Sequence, residues 1–212
     1  MVLSDRDNEI LRTLSLKVRI LSLAQLAETW WLPTEVGRAN ARRRLAVLCA
    51  SGLLTKLRVL ARPLPPIVAP AASWRPGLPP PDFGAVSWQL QKRWTEPARQ
   101  TTAYVVGRKG ANHYGRKPSS PTKHGFQATH DIGVSAIFLR LRRTDRAASE
   151  QWMGEDIIKP YRRRQKLPDA VLAAGPERSI RLILEFGGAY PPERVRDFHD
   201  DCAARGLPYE LW

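Results

Sequence analysis

Apolar residues recur at helical spacing three times within the first fifty residues of the chain, which predicts three consecutive helices. Each predicted helix starts at a residue that can cap it, namely Ser4, Ser22 and Thr34. Ser22 and Gln25 have the spacing of a capping box, and the acidic turn after Ser4 suits the positive end of a helix dipole. The third helix is expected to run to about Ser51, where Gly52 stops it.

The third predicted helix carries different chemistry on its two sides. At 100° per residue, Ala41, Leu45, Leu48 and Cys49 fall on one side, whereas Ala39, Asn40, Arg42, Arg43 and Ala46 fall on the other. Arginines can reach guanine edges or phosphates, Asn40 can pair with an adenine edge, and alanines permit close approach. Because two helices of suitable length precede it, we expect this helix to lie in the DNA major groove. The alternative is a solvated basic face, the commoner meaning of a run of charges.

Two predicted strands after the third helix indicate a winged helix-turn-helix. Residues 53–60 alternate polar and apolar side chains, and residues 102–106 form a second strand, followed by a short helix. The proline-rich stretch between the strands, about residues 62–100, is expected to be a long extended loop inserted in the wing, because proline cannot donate to a strand ladder. Across this module, residues 1–116, the residues expected to contact DNA are Arg38, Asn40, Arg42, Arg43, Lys56, Arg58, Arg62, Arg108 and Lys109.

The charge of the chain agrees with an anionic partner. Its formal net charge is +14, and a field of this size attracts polyanions. The arginines cluster within segments that have folded patterns, not along one helix with a wide apolar face, which favours nucleic acid over an acidic membrane. The sequence has no run of about eighteen uncharged apolar residues and no apolar signal core near its start. A cytoplasmic, nucleoid- or plasmid-associated location is therefore expected.

A different pattern follows a basic linker predicted at residues 117–129. Residues 130–212 predict the order helix, strand, strand, strand, helix, strand. Asp169 starts one of these strands and Glu185 ends the next, so a hairpin would bring the two carboxylates together. Paired carboxylates are hard oxygen ligands that suit Mg²⁺, and this ion could activate water for attack on a phosphodiester.

The Pro168-Asp169 pair and Glu185 resemble the motif of the restriction-endonuclease-like nucleases. That motif continues with any residue and a lysine, but the lysine position is Gly187 in this chain. The resemblance implies a small α/β domain, so the fold class expected for the chain is α+β or α/β. It also implies that Asp169 and Glu185 would be catalytic and would bind Mg²⁺ in an active nuclease.

The missing lysine counts against cleavage. Lys166 could substitute for it from another backbone position, and Asp131 or Glu155 could complete the metal shell. The alternative is structural: Asp169 caps a turn and Glu185 pairs with one of the many arginines.

The whole chain, nearly end to end, is similar to the replication-relaxation family of plasmid and mobile-element proteins. The stretches that carry the resemblance are 4–7, 41–45, 51–54, 104–106, 110–111, His130-Asp131, Pro168-Asp169 and Leu184-Glu185. The resemblance implies a winged helix followed by a degenerate nuclease-like domain, with a role in replication, relaxation, transfer or regulation of a mobile element. It also implies protein partners such as a relaxase, a replication initiator or a second copy of the chain.

Three functions remain open on the sequence. The first is a double-stranded DNA-binding accessory protein that requires no cofactor to bind DNA. The second is a Mg²⁺-dependent DNA endonuclease, and the third is an autoregulatory transcriptional repressor whose C-terminal half only dimerises. Because geometry and roles define a catalytic site, not isolated acids, the non-catalytic interpretations are preferred.

Overall fold

The computed structural model describes residues 2–115, 125–162 and 166–212. The chain mixes helices with two small sheets, as the α+β class requires. The helices are α1 (Asp5–Leu16), α2 (Leu23–Trp30), α3 (Glu35–Ala50), α4 (Phe83–Lys92), α5 (Arg108–His113), α6 (Gly125–Thr144), α7 (Arg146–Glu150), α8 (Glu155–Ile158) and α9 (Pro192–Ala204), with a 3₁₀ turn at Lys159–Tyr161. The strands are β1 (Leu21–Ser22), β2 (Leu54–Ala61), β3 (Ala72–Trp74), β4 (Arg99–Val106), β5 (Trp152–Gly154), β6 (Ala170–Leu172), β7 (Leu182–Glu185) and β8 (Tyr209–Leu211).

The chain divides into two compact units, and neither is continuous in sequence. The first unit comprises Met1–Ala61 and Ala98–Leu139, and the second comprises Arg62–Pro97 and Arg140–Trp212. This division differs from the predicted domains 1–116 and 130–212, because residues 62–97 belong to the second unit. Within the part of the chain that the structure describes, none of the helices has the length and apolar character that a membrane crossing requires.

The first unit consists of α1, α2 and α3 with the antiparallel sheet β1-β4-β2, α5 and the first part of α6. Its three N-terminal helices start where the sequence predicts, because Ser4 and Ser22 form capping boxes and Thr34 accepts a hydrogen bond from the Gly37 N–H. Strand β1 was not predicted. The core is built from side chains on these helices and strands and from Ile20, which directly precedes β1; among the others are Ile10, Leu11, Leu14, Leu26, Leu45 and Leu48.

An ion pair joins α1 to α3 inside the first unit. The Asp7 side chain is fully buried, and Arg44 Nε donates to its Oδ1 at 3.0 Å, while a terminal guanidinium nitrogen donates to Oδ2. Burial disfavours the charged form of Asp7, but hydrogen bonds from Arg44 and Ser4 outweigh this effect and lower the pKa of the carboxyl group. Of the three consecutive arginines on α3, the last is therefore held, half-buried, against a buried carboxylate.

The second unit contains a five-stranded sheet in the order β3-β8-β7-β6-β5. Strands β7 and β8 are parallel, and α9 makes the crossover between them, while the other neighbouring pairs are antiparallel. Its apolar core brings together side chains from α4, α9 and the sheet, including Leu90, Ile183, Phe198 and Leu211. The predicted order of helix, three strands, helix and strand is found in α6, β5, β6, β7, α9 and β8, but the short helices α7 and α8, which were not predicted, interrupt it.

The prediction of a long extended loop at residues 62–100 was wrong. The stretch contains β3, which pairs along one edge with β8, and the helix α4, whose N-terminus is capped by Asp82. Because β3 is an edge strand that pairs only with β8, prolines next to it remove no hydrogen bonds between strands. The prolines at 79–81 precede α4, where backbone N–H donors are not needed for the helix. Residues 99–100 belong to β4.

The predicted linker lies only partly within the described residues. Residues 117–124 fall outside them, and residues 125–129 form the start of α6, so for these five positions the prediction was wrong. Ala128 and Ile132 are both buried and four residues apart, so the apolar spacing of the helix extends back beyond the predicted start at His130.

Replacing Asp7 by asparagine is expected to lower the free energy of unfolding by about 1–3 kcal/mol, because Arg44 loses its charged partner. Since folding lowers the pKa of Asp7, its ionised form contributes stability above the ordinary value of 3.8, and this contribution is lost as the pH falls below that value. Urea denaturation at about pH 7 and about pH 3 measures both effects.

Asp5→Asn is the matched control for this experiment, because Asp5 is an exposed acid in the same helical turn. Its loss of stability should be well below that of Asp7→Asn. Equal losses in the two variants would mean that Asp7 acts only through the helix dipole, and not through Arg44.

Candidate functional site

Helix α3 presents a mixed surface, which we call the outer face. Its residues are Val36, Ala39, Asn40, Arg42, Arg43, Ala46 and Val47, and all of them are exposed. On the opposite side Ala41, Leu45 and Leu48 are buried, as predicted, whereas Cys49 is half-buried. The outer face therefore combines two cations, one amide and small or branched apolar side chains on one regular helix.

The start of α3 is fixed by a close approach of two backbones. A Cβ atom at Gly37 would lie 2.1 Å from the Leu32 carbonyl oxygen, which no side chain tolerates. The Thr34 hydroxyl accepts from the Gly37 N–H at 3.0 Å and caps the helix at the same point. The turn between α2 and α3 is thus tight, and it fixes the direction of the α3 axis relative to α2.

Two polar pairs lie on the surface of α3. A terminal guanidinium nitrogen of Arg43 donates to Asn40 Oδ1, and Arg38 is paired with Glu35 at 2.9 Å. Exposed pairs of this kind contribute little to stability and exchange readily with other partners. Arg38 shares its charge with an acid, whereas Arg42 and Arg43 contribute net positive charge to the outer face.

The outer face is close to basic residues of the β2–β4 hairpin. Burial raises the pKa of the Tyr104 hydroxyl, and the positive charge of Arg42 opposes that rise, which places Arg42 near β4. Lys56 is the cross-strand neighbour of Tyr104, and Arg58 lies two residues further along the same face of the hairpin. Both cations are exposed. Lys56 and Arg58 are thus two exposed cations on one face of a hairpin that packs against α3.

The remaining predicted DNA contacts lie elsewhere. Arg108 and Lys109 are exposed at the start of α5, where the Lys109 N–H donates to the Gly52 carbonyl at 3.2 Å. Lys109 is thus near the C-terminal end of α3, where a cation also stabilises the helix dipole. Arg62 is exposed and begins the second unit.

The predicted meeting of the two acids is confirmed. Ala170 pairs with Leu184 in the β6–β7 hairpin, so Asp169 and Glu185 occupy facing positions. The Asp169 N–H donates to Glu185 Oε2 at 3.1 Å, and the Phe186 N–H donates to Asp169 Oδ2 at 2.7 Å. Each carboxylate thereby satisfies a backbone donor beside the end of the hairpin. Glu185 is buried and Asp169 is half-buried.

Tyr190 and Arg194 complete this cluster, and the sequence gives no signal for either of them. The Tyr190 hydroxyl donates to Glu185 Oε1 at 2.8 Å, and the Arg194 guanidinium lies 5.1 Å from the centre of the Tyr190 ring. Burial, followed by the negative charge of Glu185, raises the pKa of the Tyr190 hydroxyl. Tyr190 therefore stays protonated at neutral pH and acts as a donor to Glu185.

The other candidate catalytic residues have partners of their own. Lys166 Nζ donates to the Asp197 carbonyl oxygen of α9 at 3.4 Å. Asp131 is buried in the first unit, 3.8 Å from Arg19 and 3.5 Å from His130. The Glu155 N–H donates to the Asp169 carbonyl oxygen at 3.0 Å, which brings its backbone close to the pair. Among the described residues, no group of three His, Cys, Asp or Glu side chains could hold a metal ion.

The position of the motif lysine is filled by other side chains. A Cβ atom at Gly187 would lie 2.8 Å from Leu90 Cδ1 and 2.9 Å from Leu211 Cδ1. Both leucines are fully buried. A side chain at this position would thus meet the apolar core at its first carbon. Leu90 belongs to α4, so the inserted segment occupies this space.

Comparisons of the chain with protein-family models, curated proteins and solved structures give no match.

Gly187→Lys is expected to lower the free energy of unfolding by about 1–3 kcal/mol, because the side chain is forced against Leu90 and Leu211. Urea denaturation measures the change. Gly84→Ala on α4 is the control, since its Cβ meets only the Asp82 side chain, at 3.3 Å. Unchanged stability of Gly187→Lys would mean that the lysine finds a path away from the core, and the steric argument would fail.

Proposed function

We propose that the chain is a double-stranded DNA-binding protein of the winged helix-turn-helix class, with α3 as its recognition helix. The observation that carries the proposal is the outer face of α3, where Asn40, Arg42 and Arg43 are exposed among small side chains. Arginine and asparagine have donor and acceptor patterns that match guanine and adenine edges, and alanines let a helix approach the base pairs.

The rest of the first unit supports this proposal. The order helix, strand, helix, helix, strand, strand is the order of a winged helix, with β2 and β4 as the strands of the wing. Lys56 and Arg58 on the hairpin are available to phosphates on the flank of a duplex that α3 enters. The formal charge of +14 supplies long-range attraction for such a polyanion.

We further propose that the second unit is a degenerate restriction-endonuclease-like domain that does not cleave DNA. The order of its elements and the Asp169–Glu185 pair support the relationship. The absence of cleavage rests on Gly187, where Leu90 and Leu211 leave no room for the motif lysine. The pair instead holds the end of the β6–β7 hairpin together through hydrogen bonds to backbone N–H groups.

The biological setting we propose follows from the resemblance to the replication-relaxation family. The chain would serve a plasmid or mobile element as an accessory protein in replication, relaxation, transfer or regulation. A second copy of the chain, a relaxase or a replication initiator would be its protein partner, and DNA binding would require no cofactor.

A Mg²⁺-dependent endonuclease is the second candidate, and the close approach of Asp169 and Glu185 favours it. The two carboxylates could hold the ion, which would polarise water and offset charge on a phosphodiester. These residues fit a Mg²⁺ site only in part, because each carboxylate already accepts hydrogen bonds from protein groups. Lys166 and Asp131, which could assist, have partners elsewhere. We therefore rank this activity below DNA binding without cleavage.

Replacing both Arg42 and Arg43 by alanine is expected to weaken binding of duplex DNA by about 1–3 kcal/mol for each base-contacting arginine. Fluorescence anisotropy at several salt concentrations measures the affinity, which should fall steeply between about 50 and 200 mM salt because phosphate contacts release counterions.

The control for this experiment removes the same charge elsewhere. Arg178 and Arg181 are exposed in the second unit, and their double alanine variant should bind DNA nearly as tightly as the unmodified chain. Equal losses in the two double variants would show that binding depends on net charge and not on α3. Absence of duplex binding would refute the proposed function.

Incubation of the chain with supercoiled DNA and Mg²⁺, Mn²⁺ or EDTA is expected to give binding without cleavage. Agarose gels measure the conversion to nicked and linear forms, and Asp169→Asn and Glu185→Gln variants control for a contaminating nuclease. Metal-dependent cleavage that disappears in both variants would establish the endonuclease despite Gly187.

A further inference from the structure

The outer face of α3 contains two branched apolar side chains that the proposed contacts to phosphates and guanine do not use. Val36 is 69% exposed and Val47 is 45% exposed. Both stand on the same helix as Arg43, and burial of such side chains on binding is worth free energy in proportion to the apolar area removed from water. Their exposure in the free chain leaves this apolar area available to a partner.

The valines share one strip of α3 with polar groups. Val36, Asn40, Arg43 and Val47 are separated by four, three and four residues, which is the spacing of one helical face. Asn40 and Arg43 lie between the two valines and are bonded to each other. Any surface that covers both valines must also cover a cation and an amide.

This mixture restricts the chemistry of the partner. An apolar protein surface would bury Arg43 without an anionic partner, which is costly. A lipid surface favours a helix with a wide and continuous apolar face, and Asn40 and Arg43 interrupt this one. The major groove presents methyl groups, the C5-methyls of thymine, beside hydrogen-bond acceptors and within reach of phosphates.

We propose that Val36 and Val47 contact thymine C5-methyl groups, so that α3 recognises thymine by its methyl group in addition to any hydrogen bonds made by Asn40 and Arg43. The inference rests on the proposed function, because it assumes that α3 enters the major groove. Eleven residues of α-helix separate the valines by about 16 Å along the helix axis. The two methyl contacts would thus mark opposite ends of one short half-site.

Deoxyuridine provides a direct test, because uracil lacks only the C5-methyl group and keeps the hydrogen-bonding edge and charge of thymine. The full chain would first select ligands from a randomised duplex of about thirty base pairs, which is longer than one half-site. The tightest duplex would then be made with uracil in place of each thymine in turn, including thymines outside the bound sequence as internal controls.

The affinity is expected to fall about fourfold for each contacted methyl that is removed, the equivalent of exposing one buried carbon group. Uracil outside the bound sequence should leave affinity unchanged. A Val36→Ala, Val47→Ala double variant should lose most of the preference for thymine over uracil, whereas Val68→Ala, at a valine 65% exposed in the second unit, should keep it. All three substitutions are at exposed positions, so the variants should fold, and circular dichroism checks this.

The outcomes separate this inference from the proposed function. Tight binding with equal affinity for thymine and uracil at every position would overturn methyl recognition and leave DNA binding by α3 intact. A preference for thymine that survives in the double valine variant would overturn the assignment to Val36 and Val47. Failure to select any duplex would overturn both proposals.

Discussion

A buried carboxylate pairs with one of three consecutive arginines on α3, and the other two are exposed. Helix α3 has alanines on both of its sides, so apolar contrast alone does not fix its rotation strongly. Asp7 lies in the interior and accepts two hydrogen bonds from Arg44, which adds to the burial of Leu45 and Leu48 in fixing the rotation of α3 about its axis. Arg42 and Arg43 are exposed in this orientation. The composition of the outer face is thus supported by an ion pair that lies outside that face.

A segment that looks like an interruption in the sequence completes the second unit. Residues 62–97 supply the edge strand β3 and the helix α4, and α4 packs in the same core as α9. Leu90 from this segment fills the space beside Gly187. The same side chain thus packs in the core and restricts which side chains position 187 can hold. The Asp169 and Glu185 carboxylates accept hydrogen bonds from backbone N–H groups at the end of the β6–β7 hairpin.

The sequence predicts most of the regular elements but not their grouping into units. Capping residues and apolar periodicity locate α1, α2 and α3 because these signals are local, and the facing positions of Asp169 and Glu185 follow from strand ends. The role of Arg44 was not predicted, since its partner Asp7 is thirty-seven residues away. Helix α4 was missed because prolines dominate its surroundings, although Asp82 and the spacing of Phe83, Val86 and Leu90 carry a weak helical signal. Tyr190 and Arg194 are brought to Glu185 by tertiary structure, which no local pattern encodes.

The interleaving of the two units has a consequence for how such a chain can evolve. Recombination near residue 130 would separate β3 and α4 from the sheet and helix that they complete, so a crossover at that point would not yield a module that folds. Deletion of residues 62–97 is different, because Leu60 and Gln100 are paired neighbours and the three residues left between them could form a tight turn. The first unit could thus become independent by this excision together with truncation after residue 139, whereas the second unit could become independent only after its two segments were joined.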